Sequence, residues 1–235
     1  MKRVARQLDL ALTPFEALQR PARAVDLAGV TECLREKDPA LLDHSHRVAF
    51  FADLLAQRLQ LPEGMVGQVR TGAFLHDVGK LGVAHGILLK PGKLDASQLR
   101  EMRRHPVLGA RMLRDLSLPR GVVAGVLHHH EWWDGSGYPD GLSAGQIPLA
   151  ARIITVCDAF DSMNSHRPYR RALSRQTIFD EFQSFTGRQF EPYLVDAFLR
   201  ILETGVCDPP LLPASSSGGC RAPVHPGRRL RYGVQ

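Results

Sequence analysis

The chain is poor in cysteine and shows no pattern in the little it has. Cys33, Cys157, Cys207 and Cys220 form no CxxC pair and no disulfide-framework spacing, so a disulfide-stapled scaffold is excluded and a reducing, cytoplasmic compartment is expected. Long apolar runs are missing too, which excludes insertion across a bilayer as a helix. The opening stretch MKRVARQLDLALTPFEAL starts basic, but Asp9 and Glu16 interrupt any apolar core, so it reads as a poor signal peptide. No strand-like alternation of useful length and no internal repeat appear. The charge excess is small: a formal net charge of +6 and a pI near 9.5 point toward anionic partners such as nucleotides, although a basic surface with no specific partner explains charge alone more simply.

What is present is helical pattern. At 235 residues, 44% hydrophobic and 23% charged, the chain suits one domain with modest extensions, or at most two small domains. RVAFFADLLAQRLQL carries Val48, Phe51, Leu55 and Leu59 at three- and four-residue steps, and Pro62 ends that helix or starts the next. MVGQVRTGAFLHDVGK repeats the pattern through Val66, Val69, Ala73 and His76. Asp95 with Gln98 has capping-box spacing, and Pro106 suits the first turn of a further helix. GVVAGVLHHH reads as a short apolar helix ending in histidines. IPLAARIITVCDAFDSM is apolar nearly all round and predicts a buried central helix. SRQTIFDEFQSFTG has Ser174 as cap and Gly187 as stop, and PYLVDAFLRILE closes the regular part. The expected fold class is all-α. Residues 1–25 read as an amphipathic lead-in of unassigned role, 26–205 as the functional domain, and 206–235 as a tail rich in Pro, Ser, Gly and Arg, expected to be disordered.

The chemistry-bearing residues lie at helix ends or on interior faces. His76 and Asp77 are adjacent where a helix stops, and an imidazole beside a carboxylate suits a transition metal, with the carboxylate able to bridge two ions. Alone, that pair reads more simply as a helix-terminal histidine next to a surface aspartate. The chain also offers His44, His105, His129 and His130, and then Asp158 inside the most apolar helix. An ionised carboxylate there is costly unless paired or metal-bound, so Asp158 is the most informative single residue.

Seven blocks then fall in order: HSHRV (44–48), HDVGKLG (76–82), ILLKPGKL (87–94), HPVLG (105–109), HHEWWDGSGYPDGL (129–142), IPLAARIITVCDAFDSM (147–163) and RPYR (167–170). Together they resemble the HD-GYP phosphodiesterases of the HD superfamily of metal-dependent phosphohydrolases, from about Asp38 to Phe198. The resemblance implies an HD-type multi-helix bundle around a dinuclear metal centre and hydrolysis of cyclic di-GMP to pGpG or GMP. By position, His44, His76, Asp77 and Asp158 would hold one divalent metal, and Asp77 would bridge to a second held by His105, His129 and His130, with iron or manganese expected. His128 stands one place before the motif and is left out. A glutamate that brings a third metal in some members is replaced by Ala40, which implies two ions.

Further roles follow from the same resemblance. Asp77 and Lys80 would carry catalysis, Lys80 setting a cation over the non-bridging phosphate oxygens. Tyr138, Asp161, Arg167 and Arg170 would contact substrate, arginine being suited to phosphate and bases. Glu131 would orient an imidazole N–H, and the glycines of DGSGYP would allow close backbone approach or positive φ. Trp132 and Trp133 would stack on guanine or pack into the core. Protein partners are expected at the Gly-Tyr-Pro loop, no nucleic-acid polymer is expected, and no receiver or sensory domain is read ahead of the catalytic part. Two further readings stay open: an HD-type hydrolase of another cyclic dinucleotide, and a non-catalytic dinucleotide-sensing or docking module. Against the family pattern, Val83-Ala84-His85 lacks a usual proline and acid, and His85 reads as an exposed loop histidine.

Overall fold

A computed structural model of the chain describes residues 27–166 and 171–205. Among these residues the secondary structure is helical, and the only strand-like pairing is an isolated bridge between Thr186 and Phe190. In chain order the helices are α1 (Leu27–Lys37), α2 (Pro39–Arg58), α3 (Glu63–Leu75), α4 (His85–Leu88), α5 (Ala96–Met102), α6 (His105–Met112), α7 (Arg120–His128), α8 (Leu149–Asn164), α9 (Arg175–Phe185) and α10 (Pro192–Glu203). Short 3-10 turns cover Val78–Gly82 and Ala144–Gln146. No described helix is long and apolar enough to cross a membrane.

The local starts and stops follow the chemistry of the sequence. Asp95 accepts from the backbone N–H groups of Ser97 and Gln98 while Gln98 reaches back to Asp95, the capping box read from spacing. Pro62 stands immediately before α3, and Ser174 caps α9 by accepting from Thr177 N–H. Two helices lie outside the patterns read above: α1, and the single-turn α4, which His85 opens where a loop was expected. In α1, Val30 and Leu34 are buried, and Asp38 then turns the chain into α2 by accepting from the Ala40 and Leu41 N–H groups.

Helix α8 is the hub, as its all-round apolar character predicts: it packs against α2, α3, α7, α9 and α10 and buries eleven of its residues. One apolar cluster gathers α8 with α2, α3, α9 and α10, and contains edge-to-face rings at Phe51–Phe160 (4.7 Å) and Phe160–Phe198 (5.2 Å). A second cluster, built on Val30, Leu34, Leu75, Leu113, Val122 and Val126, joins α1, α3 and α7. Lys37 at the end of α1 donates to the carbonyls of Leu81 and Val83, tying that helix to the 3-10 turn after Asp77.

That turn lies so close to α6 that only glycine fits. A Cβ on Gly79 would overlap the carbonyl oxygen of His105 and come within 2.5 Å of the Gly109 nitrogen. Relieving overlap with backbone requires a shift of α6 or of the turn. By contrast, Gly67 inside α3 has nothing within 4 Å of a would-be Cβ. Gly79→Ala is therefore expected to cost about 3 kcal/mol of stability, whereas Gly67→Ala adds about 0.5–1 kcal/mol by lowering the entropy of the unfolded chain. Urea midpoints at unchanged slope, with both variants in the same metal state, check the opposite signs.

Candidate metal centre

Three histidines share one device. His76 closes α3, His105 follows α5 and opens α6, and His129 closes α7. Each donates its Nδ1–H to a carbonyl three residues back: His76 to Ala73 (2.7 Å), His105 to Met102 (2.8 Å) and His129 to Val126 (2.8 Å). Those carbonyls belong to last helical turns, where no intrahelical N–H remains to use them. The bond fixes the tautomer, so in all three rings Nε2 carries the lone pair. His44 lies in mid-helix, where backbone carbonyls are already taken, and its Nδ1 is held by the Asp161 carboxylate at 2.7 Å instead.

The freed Nε2 atoms point at one another. His105 and His129 approach to 3.2 Å, and His44 and His76 to 3.3 Å. Between them lies Asp77, only 2% exposed, with Oδ1 3.2 Å from His105 Nε2 and Oδ2 3.3 Å from His76 Nε2. Asp158 Oδ1 stands 3.3 Å from His44 Nε2. The result is two compact groups of ligand atoms, His44–His76–Asp77 and His105–His129–His130, each with its donors within 4.8 Å of one another. Asp77 gives one oxygen to each side. Two buried lone pairs 3.2 Å apart repel unless a cation lies between them.

A proton is a poor candidate on the His129 side. Burial, reinforced by His130, His76 and His105, pushes His129 well below the usual imidazole range, and burial with His105 pushes His130 down to about 3. These rings stay neutral, which is the form that ligates metal. The His44 side favours positive charge. Against burial, hydrogen bonds to Asp158 and Asp161 raise His44 to about 9. Asp77 is ionised: burial opposes its charge, but the Lys80 ammonium beside it holds it well below the usual carboxylate range. The donor set of imidazoles and carboxylates fits divalent transition ions.

Two expected roles change. Asp161, read as a substrate contact, is 2% exposed and faces inward, with Arg47 Nε and Nη2 at 2.6 and 3.0 Å in addition to His44. Both oxygens are occupied, so it positions an imidazole. Glu131, read as an imidazole orienter, accepts the backbone N–H groups of Asp140, Gly141 and Leu142 at 2.7, 3.1 and 3.1 Å. Orientation of His76, His105 and His129 falls to helix carbonyls, and Glu131 shapes the loop. Gly137 explains the close approach in that loop: a Cβ there would come within 2.5 Å of Glu131 Cα and the His130 carbonyl oxygen. Gly135 and Gly141 adopt φ of +84° and +67°.

Of the other expected residues, Lys80 places Nζ 2.5 Å from Asp77 Oδ2, and Tyr138 stacks on His130 with ring centroids 4.9 Å apart. Arg167 and Arg170 lie outside the described residues. Trp132 meets Phe185 edge-on and Trp133 lies beneath Arg152, which are packing contacts. His85 is exposed. Arg47 and Thr155, whose hydroxyl donates to the His129 carbonyl at 2.7 Å, were not foreseen. The signal for Arg47 was its place one helical turn after His44.

Comparison with known proteins agrees with this architecture. The HD domain family model matches residues 30–194. A cyclic di-GMP phosphodiesterase from Thermotoga maritima is 38% identical over 160 residues, 67% of this chain and 44% of that protein. A 3'3'-cGAMP-specific phosphodiesterase from Vibrio cholerae is 42% identical over 137 residues, covering 58% and 30% respectively. The chain thus spans less than half the length of these curated relatives. Among solved structures, an HDG"Y"P protein from Bdellovibrio bacteriovorus superposes with a TM-score of 0.60 at 16% identity, over 81% of this chain and 68% of that one, which speaks for the fold.

The Asp161 geometry yields a test. Removing a carboxylate that orients a ligating imidazole lowers metal affinity roughly 10–100-fold. Asp161→Ala is expected to show that loss in competition against a graded series of chelators, with helical circular dichroism retained. Unchanged affinity would mean that His44 needs no carboxylate to hold it.

Proposed function

The chain belongs to the HD-domain family, and from that premise we propose that it is a metal-dependent phosphodiesterase of the HD-GYP type, hydrolysing cyclic di-GMP to pGpG or GMP. One observation carries the reading: two separate imidazole groups face each other across a single buried carboxylate, Asp77, which offers an oxygen to each. That is the donor arrangement of a dinuclear site. His44, His76, Asp77 and Asp158 would hold one ion, and Asp77, His105, His129 and His130 the other. Iron or manganese suits the mixed nitrogen and oxygen set. When bound, such ions supply Lewis acidity toward the phosphodiester and toward water.

The remaining work falls to the chain itself. Lys80 holds an ammonium beside Asp77 with a quarter of its side chain exposed, in reach of the non-bridging oxygens of a phosphodiester presented to the site. Tyr138 offers an aromatic face next to His130, and the Arg103 guanidinium lies 5.3 Å from its ring centroid, so a base and a phosphate find a plane and a cation together. Arg47 and Asp161 keep His44 aimed inward. A cytoplasmic setting accords with the free thiols of Cys33 and Cys157. Protein partners at the Gly-Tyr-Pro loop belong to the same reading. Similarity to a 3'3'-cGAMP-specific enzyme favours one second substrate, the mixed cyclic dinucleotide.

The test is anaerobic purification with elemental analysis, followed by incubation with cyclic di-GMP and, separately, 3'3'-cGAMP, and chromatography of the products. Two ions per chain at the Asp77-bridged centre and linear products are expected. Asp77→Ala should abolish both turnover and that metal, while Lys80→Ala retains the metal and lowers the rate about 100-fold. Metal-loaded protein that binds the dinucleotide and leaves it intact would favour a sensing module over an enzyme.

A further inference from the structure

The first histidine of the HHH run has no place in the centre described above. His128 is the last residue of α7, and its Nδ1 is buried without any hydrogen-bond partner. This sets it apart from His76, His105 and His129, whose Nδ1 atoms all satisfy helix carbonyls. A buried ring nitrogen left unpaired calls for a group to pair it. Two carboxylates face it: Asp140 Oδ2 at 3.6 Å and Glu131 Oε1 at 3.8 Å. Both are too far for a hydrogen bond.

We propose that His128, Glu131 and Asp140 form a second, separate site for one divalent transition ion. The spacing suits coordination: metal–nitrogen and metal–oxygen bonds of about 2.1 Å at tetrahedral angles place neighbouring donor atoms about 3.4 Å apart. The three donors lie within 4.8 Å of one another. The charge also suits it. Glu131 is buried, Asp140 lies beside it, and among the described residues no lysine or arginine pairs with either carboxylate. Glu131 Oε1, the oxygen on the His128 side, already accepts the Asp140 and Gly141 N–H groups, so His128 and Asp140 would supply the stronger donor atoms and Glu131 the weaker. Entry is open, since the Asp140 side chain is 56% exposed and His128 lines the groove between α6 and α7. An ion here would fasten the Gly-Tyr-Pro loop, through Asp140, to the end of the helix that presents His129. The mixed nitrogen and oxygen donors suit zinc or manganese.

This site does not depend on the dinuclear reading, and the experiment separates the two. Chelator-stripped full-length protein is reloaded with zinc, freed of excess by gel filtration, and assayed for zinc per chain. Asp140→Asn and His128→Asn are each expected to hold one ion fewer than wild type, with unchanged circular dichroism and with zinc no longer raising Tm as far as it does in wild type. Asp77→Ala reports on the other centre: it should lose the ions held there and keep the one at His128, and a further Asp140→Asn change in that background should remove it. Equal zinc content in wild type, Asp140→Asn and His128→Asn would overturn the proposal. So would a zinc-independent loss of Tm in those variants at equal metal content, which would make His128 a proton-carrying link between two acids.

Discussion

Everything at the centre depends on helix carbonyls that have nothing else to bond. An α-helix ends with carbonyl groups that lack intrahelical donors, and α3, α5 and α7 each end beside a histidine. The imidazole Nδ1–H takes the spare carbonyl, and the opposite nitrogen is left with its lone pair turned away from the helix. Three helix ends aimed at one point therefore deliver three lone pairs to that point. Rotamer and tautomer are settled by the same bond. Metal affinity in such a site is folding energy, because the lone pairs meet only when the helices do.

Where that device is impossible, a side chain replaces it. His44 comes from the middle of α2, and the Asp161 carboxylate, itself held by Arg47, supplies the acceptor. The exchange has an electrostatic consequence. His129, bonded to a helix carbonyl, and its neighbour His130 stand among other imidazoles and are held neutral, while His44 faces two carboxylates and is raised to about 9. The two halves of the centre are thus unlike: one is built of neutral nitrogen donors, the other is rich in negative charge. Asp77 is the group common to both.

Much of this was legible in residue order. The all-α class, the buried hub helix and the capping box at Asp95 are readable from period and spacing, because each depends on neighbours within one or two turns, whereas the set of residues expected at the centre comes from the resemblance of seven ordered blocks to a known family. What escaped is what depends on contact between distant segments. Asp161 lies one turn after Asp158, so sequence places both on one helix face, but it does not say that Arg47 of α2 would occupy both oxygens. Glu131 adjoins two histidines, yet its partners are N–H groups nine to eleven residues on, reached only because Gly137 lets the loop fold back. Helix α1 was missed because its apolar face is short and joins the second cluster rather than the hub.

The placement of the centre between two apolar clusters has a mechanical meaning. Leu75 and Val126 belong to one cluster, while Ala73 and Cys157 belong to the other, and each of these residues lies within three positions of a converging histidine or aspartate. Displacing a donor therefore requires opening close-packed side chains on at least one side, which costs cavity and contact energy. The 3-10 turn carrying Lys80 is held in the same way, by the backbone of α6 against Gly79 and by Lys37 on its exit carbonyls. A loop carrying the same side chains would let lone pairs that repel drift apart. Helix ends fixed by two cores do not allow it, so the repulsion persists as a standing affinity for cations. The polar cluster exists because the apolar packing around it leaves no other arrangement.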